Sequence, residues 1–158
     1  KIKRISQESV DPRVKNYHWL DLVNGMFEAY DRGHYTAVLV DEENNVLEGP
    51  GFNIFSLDEN GLKTPKIGVL EGITRQTAIR LASELDIPVQ EKSIGSEEFI
   101  NSDEAFATST AGGIIPITKI NGKKINNGKI GKVTSLLKNL YWEKHTDPQW
   151  SQSVDELI

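Results

Sequence analysis

After Pro12, apolar residues recur at Leu20, Val23, Phe27 and Tyr30, the three-and-four spacing of an amphipathic helix. Gly33 follows where such a helix should end. Short strand-like runs then replace it, at residues 35–40, 46–48, 52–57 and 62–64. Turn-forming residues at 41–45 and 58–61 separate them, so this part predicts a meander of hairpins. A second helix begins at Thr74, with Ala78, Leu81, Ala82 and Leu85 on one face. Pro88-Val89 opens another short strand, and Ser96-Glu97-Glu98-Phe99 predicts a helical turn capped by its serine. Strands at 104–108 and 114–120 flank a small-residue segment. A last helix buries Val133, Leu136, Leu137, Leu140 and Tyr141. Beyond His145 the chain is polar apart from Trp150 and Val154, which predicts a loosely held tail. With no repeat, low-complexity tract or interior linker, the pattern predicts one domain.

Composition narrows the class. A chain of 158 residues with 37% hydrophobic content can bury a real core as a soluble globular protein. Net charge −5 and a pI near 5.2 leave no basic stripe for nucleic acid. No apolar run approaches the length of a membrane helix and no signal peptide is visible, so the expected location is the cytoplasm. The absence of cysteine excludes disulfides and thiolate metal sites. His18, His34 and His145 lack metal-site spacing, and no metal is expected. The start at Lys1 and the polar, unpatterned stretch 1–7 predict a fragment or the back half of a longer protein.

Several segments carry candidate chemistry. Lys15 stands at the mouth of the first apolar helix beside Tyr17 and Trp19. Most lysines are solvated surface charges, but partial burial there would favour the neutral, nucleophilic amine. Glu48 ends a strand ahead of Gly49 and Gly51. It reads either as an ordinary strand-end acid or as a partner for a pyridine nitrogen, with glycines that admit a flat ligand. Gly72-Ile73-Thr74-Arg75 precedes a helix, where Thr74 either caps the helix or lies beside a bound anion. Thr110-Ala111-Gly112-Gly113 leaves a strand in a turn able to present further amides. Together, an amine, an acid and two amide-rich turns are the parts needed to hold pyridoxal 5'-phosphate (PLP).

In order, these segments resemble the class IV aminotransferases, PLP enzymes of fold type IV. That group includes branched-chain and D-amino-acid aminotransferases and aminodeoxychorismate lyase. The matching pieces are Val-Lys-Asn-Tyr at 14–17, Leu-Glu-Gly-Pro-Gly-Phe-Asn-Ile at 47–54 and Leu-Glu-Gly-Ile-Thr-Arg at 70–75. Asp-Glu-Ala-Phe at 103–106, Ser-Thr-Ala-Gly-Gly at 109–113 and, more loosely, Gly-Lys-Val-Thr at 131–134 complete them. The resemblance implies an α/β (α+β) pseudo-barrel, the larger C-terminal domain of such enzymes. Residues 1–10 would be a linker from a missing N-terminal domain, 11–145 the PLP-binding domain and 146–158 a polar tail.

By position, Lys15 would be the Schiff-base lysine and proton carrier, and Glu48 the partner of the pyridine nitrogen. Leu70 would pack on the ring, while Ile73, Thr74 and Thr110 would bind the phosphate. Trp19, Ala111 and Gly112 would border the substrate. The implied reaction moves an amino group from an amine or amino acid to a 2-oxo acid. Lyase-type elimination of pyruvate and a truncated, non-catalytic domain are the alternatives. Within the family, Trp19, the 48–53 stretch, Ser-Thr-Ala-Gly-Gly at 109–113 and Tyr141-Trp142-Glu143 look most like (R)-selective amine transaminases and branched-chain aminotransferase-like proteins. Lys132 replaces the usual proline of its turn. The resemblance further implies a homodimer, in which the N-terminal domain supplies a phosphate-binding arginine and closes the substrate pocket. Without that domain, this chain is expected to be a poor enzyme.

Overall fold

The computed structural model describes residues 2–153. The first half runs α1 (Leu20–Asp31), β1 (Asn45–Val46), β2 (Glu48–Gly49), β3 (Phe52–Asp58), β4 (Gly61–Thr64) and α2 (Ile73–Glu84). The second runs β5 (Val89–Glu91), β6 (Ile94–Gly95), α3 (Ser96–Ile100), β7 (Glu104–Ser109), β8 (Gly113–Ile117), β9 (Lys119–Ile120), β10 (Lys123–Lys124) and α4 (Lys132–Glu143). A six-stranded sheet in the order β5-β4-β3-β7-β8, with β2 also paired to β3, forms the centre. Its pairs are antiparallel except β4 with β5, which the α2 crossover joins in parallel. The mixed α/β class expected from the sequence is the one observed.

Both faces of the central strands are buried, which explains their nearly continuous apolar sequence. On one face Phe55 stacks on Phe106, centroids 4.7 Å apart and planes 10° off parallel. Ala78, Leu81 and Ala82 of α2 and Leu137 and Tyr141 of α4 close over them. On the other face Ile54 and Ala105 pack with Val46, Ile94, Phe99 and Ile125. Removing either phenylalanine ring would cost about 3–5 kcal/mol, the range for a large cavity in a core.

At its start α4 is held by a side chain from the sheet. Glu104 Oε2 accepts hydrogen bonds from the Thr134 amide and hydroxyl, both 2.8 Å, and Oε1 accepts one from the Val133 amide at 3.2 Å. Gly131 permits this approach, since a Cβ there would stand 1.8 Å from the Glu104 carboxyl carbon.

Five local expectations of the fold fail. Leu136, expected on the buried side of α4, is exposed. The stripe predicted to bury α1 faces outward: Leu20, Val23, Phe27 and Tyr30 are all exposed, and the helix rests on Leu22, Gly25 and Ala29. Gly25 allows the close seat, because a Cβ there would be 2.8 Å from Leu39 Cδ1. Residues 35–40 form no strand; only Val40 bridges, to Lys3 and Val46, while the Leu39 amide and carbonyl bond to Glu48 and Leu47. Ser96 does not cap α3, whose N-cap is Gly95. The tail is anchored as far as Ser151: Trp150 packs on the core and the Arg80 guanidinium lies 3.8 Å from its ring centre. Val154 lies outside the described residues.

Candidate active site

The edge of the sheet, the start of α2 and the segment before α1 enclose a cleft of about 320 Å³. Glu48 enters from β2, Leu70 from the loop before α2, and Ile73 and Thr74 from the first turn of that helix. Thr110 and Ala111 enter from the β7–β8 turn, and Lys15 and Trp19 from the opposite side. Eight of the nine residues singled out in the sequence therefore line one cavity, and Gly112 is the one that does not.

Glu48 is buried, and four donors engage its two oxygens. Oε1 accepts from Arg4 Nη2 at 3.1 Å and Nε at 3.3 Å; Oε2 accepts from the Leu70 amide at 3.0 Å and more weakly from Asn53 Nδ2 at 3.4 Å. Burial pushes this carboxyl above the ordinary glutamate value, and the Leu70 amide and Arg4 offset only part of the rise. Arg4 also donates to Asp21 Oδ2 at 2.7 Å. Burial raises the Asp21 carboxyl too, but the Ile5 amide, Arg4 and the Leu22 amide outweigh it, leaving that group below the usual aspartate range.

The start of α2 differs from that of α4. Its N-cap is Gly72, no side chain caps it, and Thr74 is buried inside the first turn, not placed as a cap. A helix start leaves its first amides without partners in the helix, and its dipole attracts an anion. Gly72 is needed there because a Cβ would stand 2.4 Å from Asn53 Oδ1. Arg75 in the same turn is buried and committed to structure: it bonds Glu91 at 2.7 Å, the Pro65 carbonyl at 2.9 Å and Thr64 at 3.3 Å.

On the floor, Thr108 of β7 pairs in register with Asn53 of β3. Thr108 lines the cleft, and its buried hydroxyl oxygen is the one buried side-chain polar atom without a hydrogen-bond partner among the described residues. The opposite wall is open. Lys15, Tyr17 and Trp19 are exposed, so the partial burial expected around Lys15 is not present. Local bonds alone shape this segment, from Asn16 Nδ2 to the Val14 carbonyl at 2.8 Å and from the His18 amide to Asn16 Oδ1 at 2.9 Å.

Arg4, Asp21, Asn53 and Thr108 were not picked out from sequence. Asn53 lies inside the 47–54 segment, where it stands across the β2–β3 hairpin from Glu48. Arg4 sits in a polar stretch without period, where nothing local distinguishes it.

The Amino-transferase class IV family model matches residues 1–120. A branched-chain-amino-acid aminotransferase of Pseudomonas aeruginosa is 36% identical over 129 residues, covering 81% of this chain and 42% of that protein. The branched-chain aminotransferase of the archaeon Thermoproteus uzoniensis, solved with norvaline, superposes with a TM-score of 0.88 at 34% identity, over 94% of this chain and 51% of that one. The Thermobaculum terrenum enzyme, solved in its PLP form, gives 0.85 at 34% identity over 90% and 48%. The chain spans about half the length of the curated relatives it matches. With the family model covering most of its length, and these folds overlaying its sheet and helices, the chain belongs to the class IV aminotransferases.

Proposed function

We propose that this cleft holds PLP and serves transamination between an amino acid or amine and a 2-oxo acid. The observation that carries the proposal is the buried Thr108 hydroxyl, without a partner among the described residues, on a residue that lines the same cleft as Glu48, the uncapped start of α2 and Lys15. A buried unpaired hydroxyl costs about 1–3 kcal/mol, a penalty that a ligand with polar atoms relieves.

The residues fit the group. Lys15 would bond covalently to PLP, Glu48 would face the ring nitrogen and Leu70 would pack on the ring. The amides of Ile73 and Thr74, joined by Thr110, suit the phosphate. When bound, PLP supplies an electron sink that lets the substrate's α-proton leave. The Lys15 amine would hold and move the proton taken from the substrate α-carbon, as the acid-base group on the path to cofactor C4′. Trp19 and Ala111 border the substrate side, while Gly112 stands behind the turn against Ile115. The names of the relatives favour branched-chain amino acids and their 2-oxo acids as the substrates.

The open wall at Lys15, Tyr17 and Trp19 and the outward apolar stripe of α1 support completion of the site from outside this chain, by an N-terminal domain and a second copy. Borohydride reduction in the presence of PLP tests the proposal. A visible absorption band, fixed by reduction onto the peptide holding Lys15 and absent in Lys15→Ala, is the expected result. A label distributed over surface lysines, or none, refutes it.

A further inference from the structure

Arg4 takes no part in the proposal above, yet among the described cations at the cleft it is the one paired with two carboxylates. Its guanidinium is bound on one side by Glu48 and on the other by Asp21, with both carboxylates and the arginine nearly withdrawn from solvent. Asp21 lies in the first turn of α1 and Glu48 in β2, so the arginine is locked between two elements and cannot swing away from Glu48. Every protein group bonded to Glu48 is an N–H donor: Arg4 twice, the Leu70 amide and Asn53. Such surroundings serve a charged carboxylate and offer nothing to a carboxylic acid.

A buried carboxyl facing a pyridine nitrogen shares one proton with it. In a dry site the neutral arrangement, acid against unprotonated ring, competes with the charged one, carboxylate against protonated ring. Only the charged arrangement draws electrons strongly into the ring. Burial alone favours the neutral one; a fixed cation bonded to the carboxylate favours the charged one. The other cations at the cleft are Arg75, which is committed to Glu91, and Lys15 on the opposite wall.

We infer that Arg4, held by Asp21, keeps the proton on the cofactor's ring nitrogen and off Glu48, acting as a positioning residue through that carboxylate. The inference rests on the PLP reading of the cleft.

Two measurements separate this inference from the PLP reading. In the PLP-free chain with 13C-labelled glutamate, carboxyl NMR follows the Glu48 titration in wild type, Arg4→Met and Arg4→Lys. The midpoint should rise in Arg4→Met and return toward wild type in Arg4→Lys. With 15N-labelled PLP bound, the ring nitrogen should show the protonated shift in wild type and Arg4→Lys and move toward free pyridine in Arg4→Met. An unchanged Glu48 midpoint, or the same nitrogen shift in wild type and Arg4→Met, overturns the assignment. Wild type that binds no PLP fails the cofactor reading, an outcome visible separately from the Glu48 titration. Circular dichroism confirms that each variant folds, and Arg4→Gln, neutral but able to hydrogen-bond in the same space, should raise the Glu48 midpoint too and keeps the test decisive if Arg4→Met does not fold.

Discussion

Thr108→Val should move stability and ligand binding in opposite directions. The side chain is 2% exposed and its hydroxyl has no partner, so the native fold bears the cost of stripping water from it. Valine has nearly the same shape without that oxygen. The expected gain is about 1–3 kcal/mol from the removed penalty, with a few tenths more from strand preference. Thr108→Ser keeps the oxygen and loses a methyl, and should cost about 0.8 kcal/mol instead. If the hydroxyl bonds PLP, valine forfeits one hydrogen bond, worth about 0.5–1.5 kcal/mol, or roughly a two- to twelvefold rise in Kd. Urea denaturation without PLP, followed by PLP titration monitored by absorbance, reads both quantities. A valine variant less stable than wild type without PLP, or one that binds PLP equally well, refutes the reasoning.

Other perturbations address neighbouring parts of the argument. Because folding raises the Glu48 carboxyl, its ionisation works against the native state, and this contribution to stability is lost as pH rises from about 4.5 through the raised native value. Glu48→Gln removes it, so the stability of wild type relative to the variant should fall as pH rises; a difference that is flat or rises with pH contradicts the burial account. Glu104→Ala uncouples the sheet from the start of α4 and should cost about 1–3 kcal/mol in urea denaturation, through lost bonds to Val133 and Thr134. Trp150→Ala should cost about 1–3 kcal/mol and expose the preceding segment to proteolysis, since the ring packs on the core beneath Arg80. An unchanged cleavage rate would show that the tail is held by other contacts.

The sequence located most of the cleft because its parts lie at ends of elements, where glycine, threonine and acid in fixed order leave a local trace. Glu48, Thr74 and Thr110 are of this kind. The central strands were legible for another reason: β3 and β7 are buried on both faces, so their apolar runs are long. Periodicity misled at α1, where the apolar stripe is real but faces away from this chain's core, and spacing alone does not say what an apolar face packs against. Arg4 was invisible because its importance comes from two carboxylates distant in sequence, Asp21 and Glu48. Ser96 failed as a cap because the chain enters α3 through Gly95, one residue earlier than the serine rule assumes.

The two sides of the cleft belong to different tiers of stability. Glu48, Asn53 and Thr108 hang from strands whose loss would dismantle both hydrophobic clusters, so their amides should exchange with solvent only when the whole domain opens. Lys15 sits in a surface segment tied by short-range bonds alone, free to open without disturbing that floor. On the proposed PLP reading, a lysine that lets go of a ring and takes it back would benefit from that division, because the floor would hold the ring's surroundings constant while the amine comes and goes.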